Sequence, residues 1–224
     1  MADAFVLHLI TDRLESRLPL AAAVAAAVRG GVDAVQVREK GQPAEAVWAA
    51  THEALAAVAG GAAVLVNDRA DIALTSGAAG VHLPGRGLPV AAARRLLPAT
   101  GGFWVGASVH SLAEALAAVA AGADYVTFGH VFPTGSKPGA AARGLRALAE
   151  VVAAVPAPVL AIGGITAANV GEVLRTGCAG VAVIRALLQE ADPEGAAAGL
   201  RRAMAATHAR PRHALVAAGR GVGA

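Results

Sequence analysis

The stretch GVDAVQVREK, residues 31–40, carries the pattern on which the reading of the fold turns. A glycine closes an Ala-rich segment, an acid follows, a short run rich in valine reads as a strand, and Arg38-Glu39-Lys40 ends it in charge. Related phrases return as GADYV at 122–126 and GCAGV at 177–181, which points to a repeated unit. Outward from this stretch, strand-like runs fall at Phe5–Ile10, Asp33–Val37, Ala63–Val66, Gly80–Leu83, Phe103–Ala107, Asp124–Phe128, Val159–Ile162 and Gly180–Ile184. Several are apolar throughout, as parallel strands covered on both faces are.

Between these runs lie segments of helical composition: Leu20–Arg29, Ala44–Val58, Val90–Leu97, Leu112–Ala121, Leu145–Ala154, Ala167–Arg175 and Pro193–Ala206. Gly30-Gly31, Gly60-Gly61, Gly122 and Gly177 stand where helix C-caps are expected. Strand–helix alternation of this kind argues for parallel βαβ units. Eight units in one chain of 224 residues predict a single (β/α)8 TIM barrel over residues 1–206. A doubly wound open sheet of fewer strands is the alternative.

Composition narrows the function classes. The chain is 56% hydrophobic but only 3% aromatic, so Ala, Val and Leu must build the core. The richest apolar segments, Ala21–Val28 and Leu112–Gly122, break well before the roughly 18–20 residues that span a bilayer. Met1 to Ile10 lacks a basic region followed by a long apolar run, so no secretory leader is expected. The single cysteine, Cys178, excludes intrachain disulfides and zinc–cysteine clusters, and a reducing, cytoplasmic setting is expected. The net charge of +3 is matched by Arg210, Arg212 and Arg220 in a terminal stretch without acids. The body is therefore near neutral and no nucleic-acid partner is indicated. Residues 207–224 are read as a flexible basic tail. Ala/Leu-rich outer helices would permit a homodimer.

In a barrel of this type, chemistry gathers on the loops that follow the strands. Those positions read Thr11-Asp12, Arg38-Glu39-Lys40, Asn67-Asp68-Arg69, His82-Leu83-Pro84, Ser108-Val109-His110, Gly129-His130, Gly163-Gly164 and Ile184-Arg185. The polar chemistry of the chain is concentrated there. Gly163 and Gly164, at the end of the seventh strand, together with Ile184 after the eighth, predict a phosphate cradle, because unsubstituted backbone allows close approach. A tight turn that merely needs positive φ is the competing explanation.

The ordered phrases HLITDR (8–13), QVREKG (36–41), VLVNDRADIAL (64–74), GVHLP (80–84), GASVHS (106–111), ADYVTFGHVFPTGSKPG (123–139), LAIGGIT (160–166) and GVAVI (180–184) together resemble the thiamine-phosphate synthases and the related TenI thiazole tautomerases. The resemblance runs from about Leu7 to Leu187. It implies a small phosphorylated thiazole as substrate. For a synthase, which joins a pyrimidine diphosphate to the thiazole phosphate and expels pyrophosphate, it implies that Arg38, Lys40, Asn67 and Lys137 hold the diphosphate and Asp68 binds Mg2+. Synthases carry a second carboxylate after the fourth strand, where this chain reads His82-Leu83-Pro84-Gly85-Arg86-Gly87.

That difference, with Gly129-His130 where synthases have glycine and proline, Ser108 and His110 after the fifth strand, and Arg143-Gly144, is similar to the tautomerase branch. Gln36, Asn67-Asp68 and Phe132-Pro133-Thr134 are synthase-like. The expectation drawn is an isomerase: a metal-free, cofactor-free tautomerase with His130 as general acid–base, Arg38, Lys40, Asn67, Ser108, Thr134 and Lys137 on the substrate, and the phosphate on Gly163, Gly164 and Ile184. The Mg2+-dependent synthase is the alternative, and a regulatory paralogue without catalysis a second one. His8 and His82 are read as core histidines, His110 as the start or the cap of a helix. Arg185, in place of the small hydroxyl residue of the family, is left open between a phosphate contact and an outward orientation.

Overall fold

Strands and helices alternate along the residues that the computed structural model describes: 5–96, 102–135, 139 and 141–215. The strands are β1 (Val6–Ile10), β2 (Ala34–Val37), β3 (Ala63–Asn67), β4 (Gly80–Leu83), β5 (Trp104–Val109), β6 (Tyr125–Gly129), β7 (Val159–Ile162) and β8 (Gly180–Val183). The helices are α1 (Leu20–Arg29), α2 (Ala44–Val58), α3 (Ala70–Ser76), α4 (Val90–Leu96), α5 (Leu112–Ala120), α6 (Gly144–Ala154), α7 (Val170–Leu174), α8 (Arg185–Leu188) and α9 (Pro193–Ala205). Every neighbouring strand pair is parallel, and β1 also pairs with β8 through Val6–Gly180, Leu7–Val181, His8–Ala182 and Leu9–Val183. That last ladder closes the barrel and excludes the open sheet. Closure needs Gly180, where a side chain would overlap the backbone of Val6.

The strands lie within two residues of their expected ends. Two helices were not anticipated. α3 carries Asp71, Thr75 and Ser76 in seven residues, weak helix formers that hide its periodicity. α8 has only four residues. α7 is shorter than the 167–175 expected, and Leu97 lies outside the described residues.

Strand residues alternate between two cores. Leu7, Leu9, Val35, Val37, Val64, Val66, Val81, Val105, Val126, Phe128, Val159, Ala161, Val181 and Val183 face the helices in the larger cluster. Val6, Ala34, Leu65, Trp104, Tyr125 and Leu160, one strand position away, fill a second, smaller one. The next positions toward the strand C-termini are His8 (β1), Gln36 (β2), His82 (β4) and Thr127 (β6), all buried. Polarity thus increases along the barrel axis toward the C-terminal mouth.

The repeated aspartates now have a structural reason. Asp33 accepts from the Leu7 N–H at 2.8 Å, and Asp124 from the Val105 N–H at 2.6 Å, each taking an N–H of the preceding strand. Each is also paired with an arginine that caps the nearby turn. Arg201 reaches the Gly31 carbonyl and Asp33; Arg94 reaches the Gly122 carbonyl and Asp124. The same device recurs four strands apart.

Of the terminal stretch, residues 207–215 are described and 216–224, with Arg220, lie outside the described residues. Arg212 N–H donates to the Gly177 carbonyl at 2.9 Å, and Leu215 packs against the smaller cluster. No helix among the described residues is long and apolar enough to cross a membrane.

Candidate functional site at the barrel mouth

The C-terminal ends of the strands surround a cavity of about 730 Å³. On one side it is lined by Gln36, Arg38, Lys40, Asn67 and Asp68 from β2, β3 and their loops; on the other by Gly163, Gly164 and Ile184 from the ends of β7 and β8. Ser108, His130 and Thr134 lie between. Every expected site residue that is described therefore lines this one cavity. Lys137 lies outside the described residues.

Arg38 is aimed by its neighbours. Its backbone N–H donates to Thr11 Oγ1 at 2.9 Å, and its guanidinium to Asp12 at 3.0 Å. Its ion pair is thus with Asp12 and with neither its neighbour Glu39 nor Asp68. Glu39 instead pairs with Arg13, and burial raises its pKa above the usual carboxylate value. Asp68 sits at φ 67°, a left-handed conformation uncommon outside glycine, and its N–H donates to the His82 carbonyl at 2.9 Å. The β4 loop returns to this carboxylate at Gly87, where a side chain would overlap the Asp68 carboxylate oxygen.

The floor is a hydrogen-bonded chain. His82 is linked through Nε2 to Ser108 Oγ at 2.8 Å and through Nδ1 to the Tyr125 hydroxyl at 3.0 Å, while Thr127 Oγ1 donates to Ser108 Oγ at 3.4 Å. Burial lowers the His82 pKa to about 3, so its imidazole is neutral near pH 7. A neutral ring has one donor and one acceptor nitrogen, so the Ser108–His82–Tyr125 chain runs in a single direction. Burial likewise raises the Tyr125 phenol, which stays protonated. Gly106 makes this packing possible: a side chain there would overlap both Tyr125 and the His82 ring.

The core role read for His82 is thus only half of its position, since it also lines the cavity. Gln36 and Thr127 were not proposed as contact residues, yet both do the same. The available signal was polarity at strand positions that point inward. His110 is not the cap of α5. Ser111 takes that role, accepting from Glu114 N–H, while His110 Nδ1 is hydrogen-bonded to the Gly129 carbonyl at 2.8 Å.

The glycine turn has φ 101° at Gly163 and 67° at Gly164, so its backbone demands glycine before any ligand is considered. A side chain at Gly163 would overlap His130, and one at Gly164 would lie 2.6 Å from the Pro133 carbonyl. Asn169 braces the turn, donating to the Gly164 carbonyl and accepting from the Thr166 N–H, both at 2.9 Å. His130 is buried against this turn.

The donor set can be tested against Mg2+. The described residues hold no group of three or more His, Cys, Asp or Glu placed to bind a metal. Mg2+ does not need one, because one or two carboxylates suffice when phosphate oxygens and water complete its shell. Asp68, beside Asn67 and on the same side of the cavity as Arg38 and Lys40, fits a cation shared with a diphosphate and not a cage built from protein alone.

A family model described as thiamine monophosphate synthase matches residues 7–187. The thiamine-phosphate synthase of Anaeromyxobacter dehalogenans is 52% identical over 185 residues, covering 82% of each chain. That of Methanoculleus marisnigri is 48% identical over 188 residues, covering 83% of this chain and 88% of its own. Among solved structures, a thiamine phosphate pyrophosphorylase from Pyrococcus furiosus superposes with a TM-score of 0.83 at 36% identity, covering 91% of this chain and 97% of that one.

These relatives overturn the isomerase expectation. The metal-free TenI-like tautomerase with His130 as general acid–base gives way to the transferase, because relatives of 42–52% identity carry the synthase name. The physical weighting changes with it. The tautomerase reading rested on a missing carboxylate after β4, on His130, on Ser108 and His110 and on Arg143-Gly144, none of which excludes a synthase. The Gln36, Arg38, Lys40, Asn67 and Asp68 array faces the cavity as a unit. Proton transfer within a thiazole ring has no diphosphate for that array to neutralise.

Proposed function

The chain belongs to the thiamine monophosphate synthase family, and from that premise we propose that it is a transferase of thiamine biosynthesis, joining a pyrimidine diphosphate to a thiazole phosphate with release of pyrophosphate. The observation that supports this reading is one cavity with two anion-binding ends: Arg38, Lys40, Asn67 and Asp68 at one, Gly163, Gly164 and Ile184 at the other.

The two ends match the two substrates. As the carbon–oxygen bond to the diphosphate breaks, negative charge grows on the leaving oxygens, and cations already in place stabilise that change without reorganising. Arg38 is suited to this by its planar donor fork, held by Asp12, and Lys40 adds a mobile point charge. Asp68 would hold Mg2+, which when bound supplies further neutralisation of the leaving group. Gly163, Gly164 and Ile184 would receive the phosphate of the thiazole. Gln36, Ser108 and Thr127 offer fixed donors and acceptors to a heteroaromatic ring at the floor, and Thr134 adds a hydroxyl from the β6 loop. Binding both substrates in one cavity also converts an encounter of two molecules into a reaction within a complex.

The test mixes purified protein with the pyrimidine diphosphate, the thiazole phosphate and Mg2+. Pyrophosphate should appear in step with coupled product, stop on chelation and resume when Mg2+ is returned. Arg38→Ala should lower kcat/KM for the pyrimidine diphosphate at least about a hundredfold, in keeping with loss of an electrostatic partner of the leaving group. No pyrophosphate release from the folded wild-type protein would refute the proposal.

A further inference from the structure

We propose that Tyr125 is a positioning residue: by fixing the tautomer of His82 it makes the Ser108 hydroxyl a hydrogen-bond donor that faces the cavity and takes an acceptor atom of a substrate. The proposal rests on the reading of this cavity as the site of the coupling reaction. Ser108 is half-buried and lines the cavity, whereas Tyr125 is wholly buried beneath it.

Tyr125 decides which way the Ser108–His82–Tyr125 chain runs. Its ring lies edge-on to Trp104, with centroids 6.3 Å apart, and 5.6 Å from the His82 ring. Its hydroxyl has one hydrogen-bond partner among the described residues, His82 Nδ1 at 3.0 Å. His8, the ring on its other side, has no partner at either nitrogen and so takes nothing from the phenol. If Nδ1 carried the imidazole proton, the phenol would have to accept it, and its own O–H would be buried without an acceptor. The opposite arrangement satisfies both groups: the phenol donates to Nδ1, and Nε2 carries the proton.

The consequence passes to Ser108. Its Oγ lies 2.8 Å from Nε2 and must accept that proton. Thr127 Oγ1, 3.4 Å from both Nε2 and Ser108 Oγ, donates to the same oxygen. A hydroxyl has two lone pairs and one hydrogen, so with both lone pairs engaged by the floor its hydrogen is left for the cavity. A serine in isolation rotates to donate or accept as its partner requires. Here the buried pair removes that choice. The site therefore favours a substrate atom with a lone pair, such as an unprotonated ring nitrogen or an oxygen, and disfavours an N–H at that point.

Nitrogen-15 NMR of the labelled full-length chain reads the tautomer directly. Wild-type His82 should be protonated at Nε2 and bare at Nδ1. Tyr125→Phe, which keeps the ring and its packing, should give a mixture of tautomers, while Ser108→Ala should leave the wild-type tautomer in place. In the coupling reaction, Ser108→Ala should lower kcat/KM at least about tenfold, and Tyr125→Phe should lower the same constant by roughly three- to tenfold, as the loss of one hydrogen bond does. Because Tyr125 acts only through Ser108, the double variant should be no slower than Ser108→Ala alone. A purely structural role for Tyr125 would make the two losses multiply. That outcome, or a wild-type His82 with its proton on Nδ1, would overturn the inference. If the tautomer is as expected while the wild-type chain releases no pyrophosphate, the synthase reading fails and the donor role of Ser108 stands.

Discussion

His8 and His82 illustrate how one residue type serves different ends when its surroundings differ. His82 is satisfied on both ring nitrogens, whereas neither nitrogen of His8 has a partner among the described residues. Burial lowers their pKa values to about 3 and about 4, from 6.5. The folded state therefore binds fewer protons than the unfolded one once the pH falls below 6.5. Stability is full above that value and declines as the pH drops toward 4, by about 1.4 kcal/mol per pH unit for each histidine. Urea midpoints between pH 6.5 and 5 should show this slope. His8→Leu should flatten it by about half and cost little at pH 7, since it deletes a polar group that lacks a partner. An equally steep profile in the variant would remove His8 from the account. At this scale the sequence indicated the mouth residues by type and place. It did not separate core from cavity at His82, Gln36 and Thr127, because an inward strand residue near the mouth is both.

At the scale of elements, the phrases GVDAV and GADYV were legible as repeats, but their purpose was not. The pairs Asp33–Arg201 and Asp124–Arg94 join residues 168 and 30 positions apart in the chain, and each aspartate also satisfies a strand N–H. Asp124→Ala should strip Val105 of its side-chain acceptor and Arg94 of its ion partner. A loss of about 1–3 kcal/mol is expected from the unpaired N–H, measured by urea denaturation. A change below about 0.5 kcal/mol would show that water replaces the carboxylate without cost. Strand ends were read closely because glycine and polar residues punctuate them. α3 and α8 were not, because helices of seven and four residues are too short to display a hydrophobic period.

The whole molecule divides its labour along the barrel axis, with cavity-lining polarity at the C-terminal mouth and stabilising contacts at the opposite end. Arg212 and Leu215 belong to the latter, through Gly177 and the smaller cluster. Truncation after Ala206 should lower the thermal midpoint by a few degrees, as a loss of about 1 kcal/mol does, and leave kcat unchanged. A fall in kcat at a temperature where the truncated chain is fully folded would contradict this division.

Strand count, barrel class and the position of the mouth could be read from the chain alone, because period, glycine punctuation and polar strand ends are local properties. The choice between reactions could not be settled by scattered differences at positions 87 and 130. The tertiary structure alone decided that Arg38, Lys40, Asn67 and Asp68 share one cavity with the glycine turn. It alone tied Arg185 to Glu15 across 170 residues of sequence. Such relations depend on the closure of β1 against β8, a distance in space that no local pattern encodes.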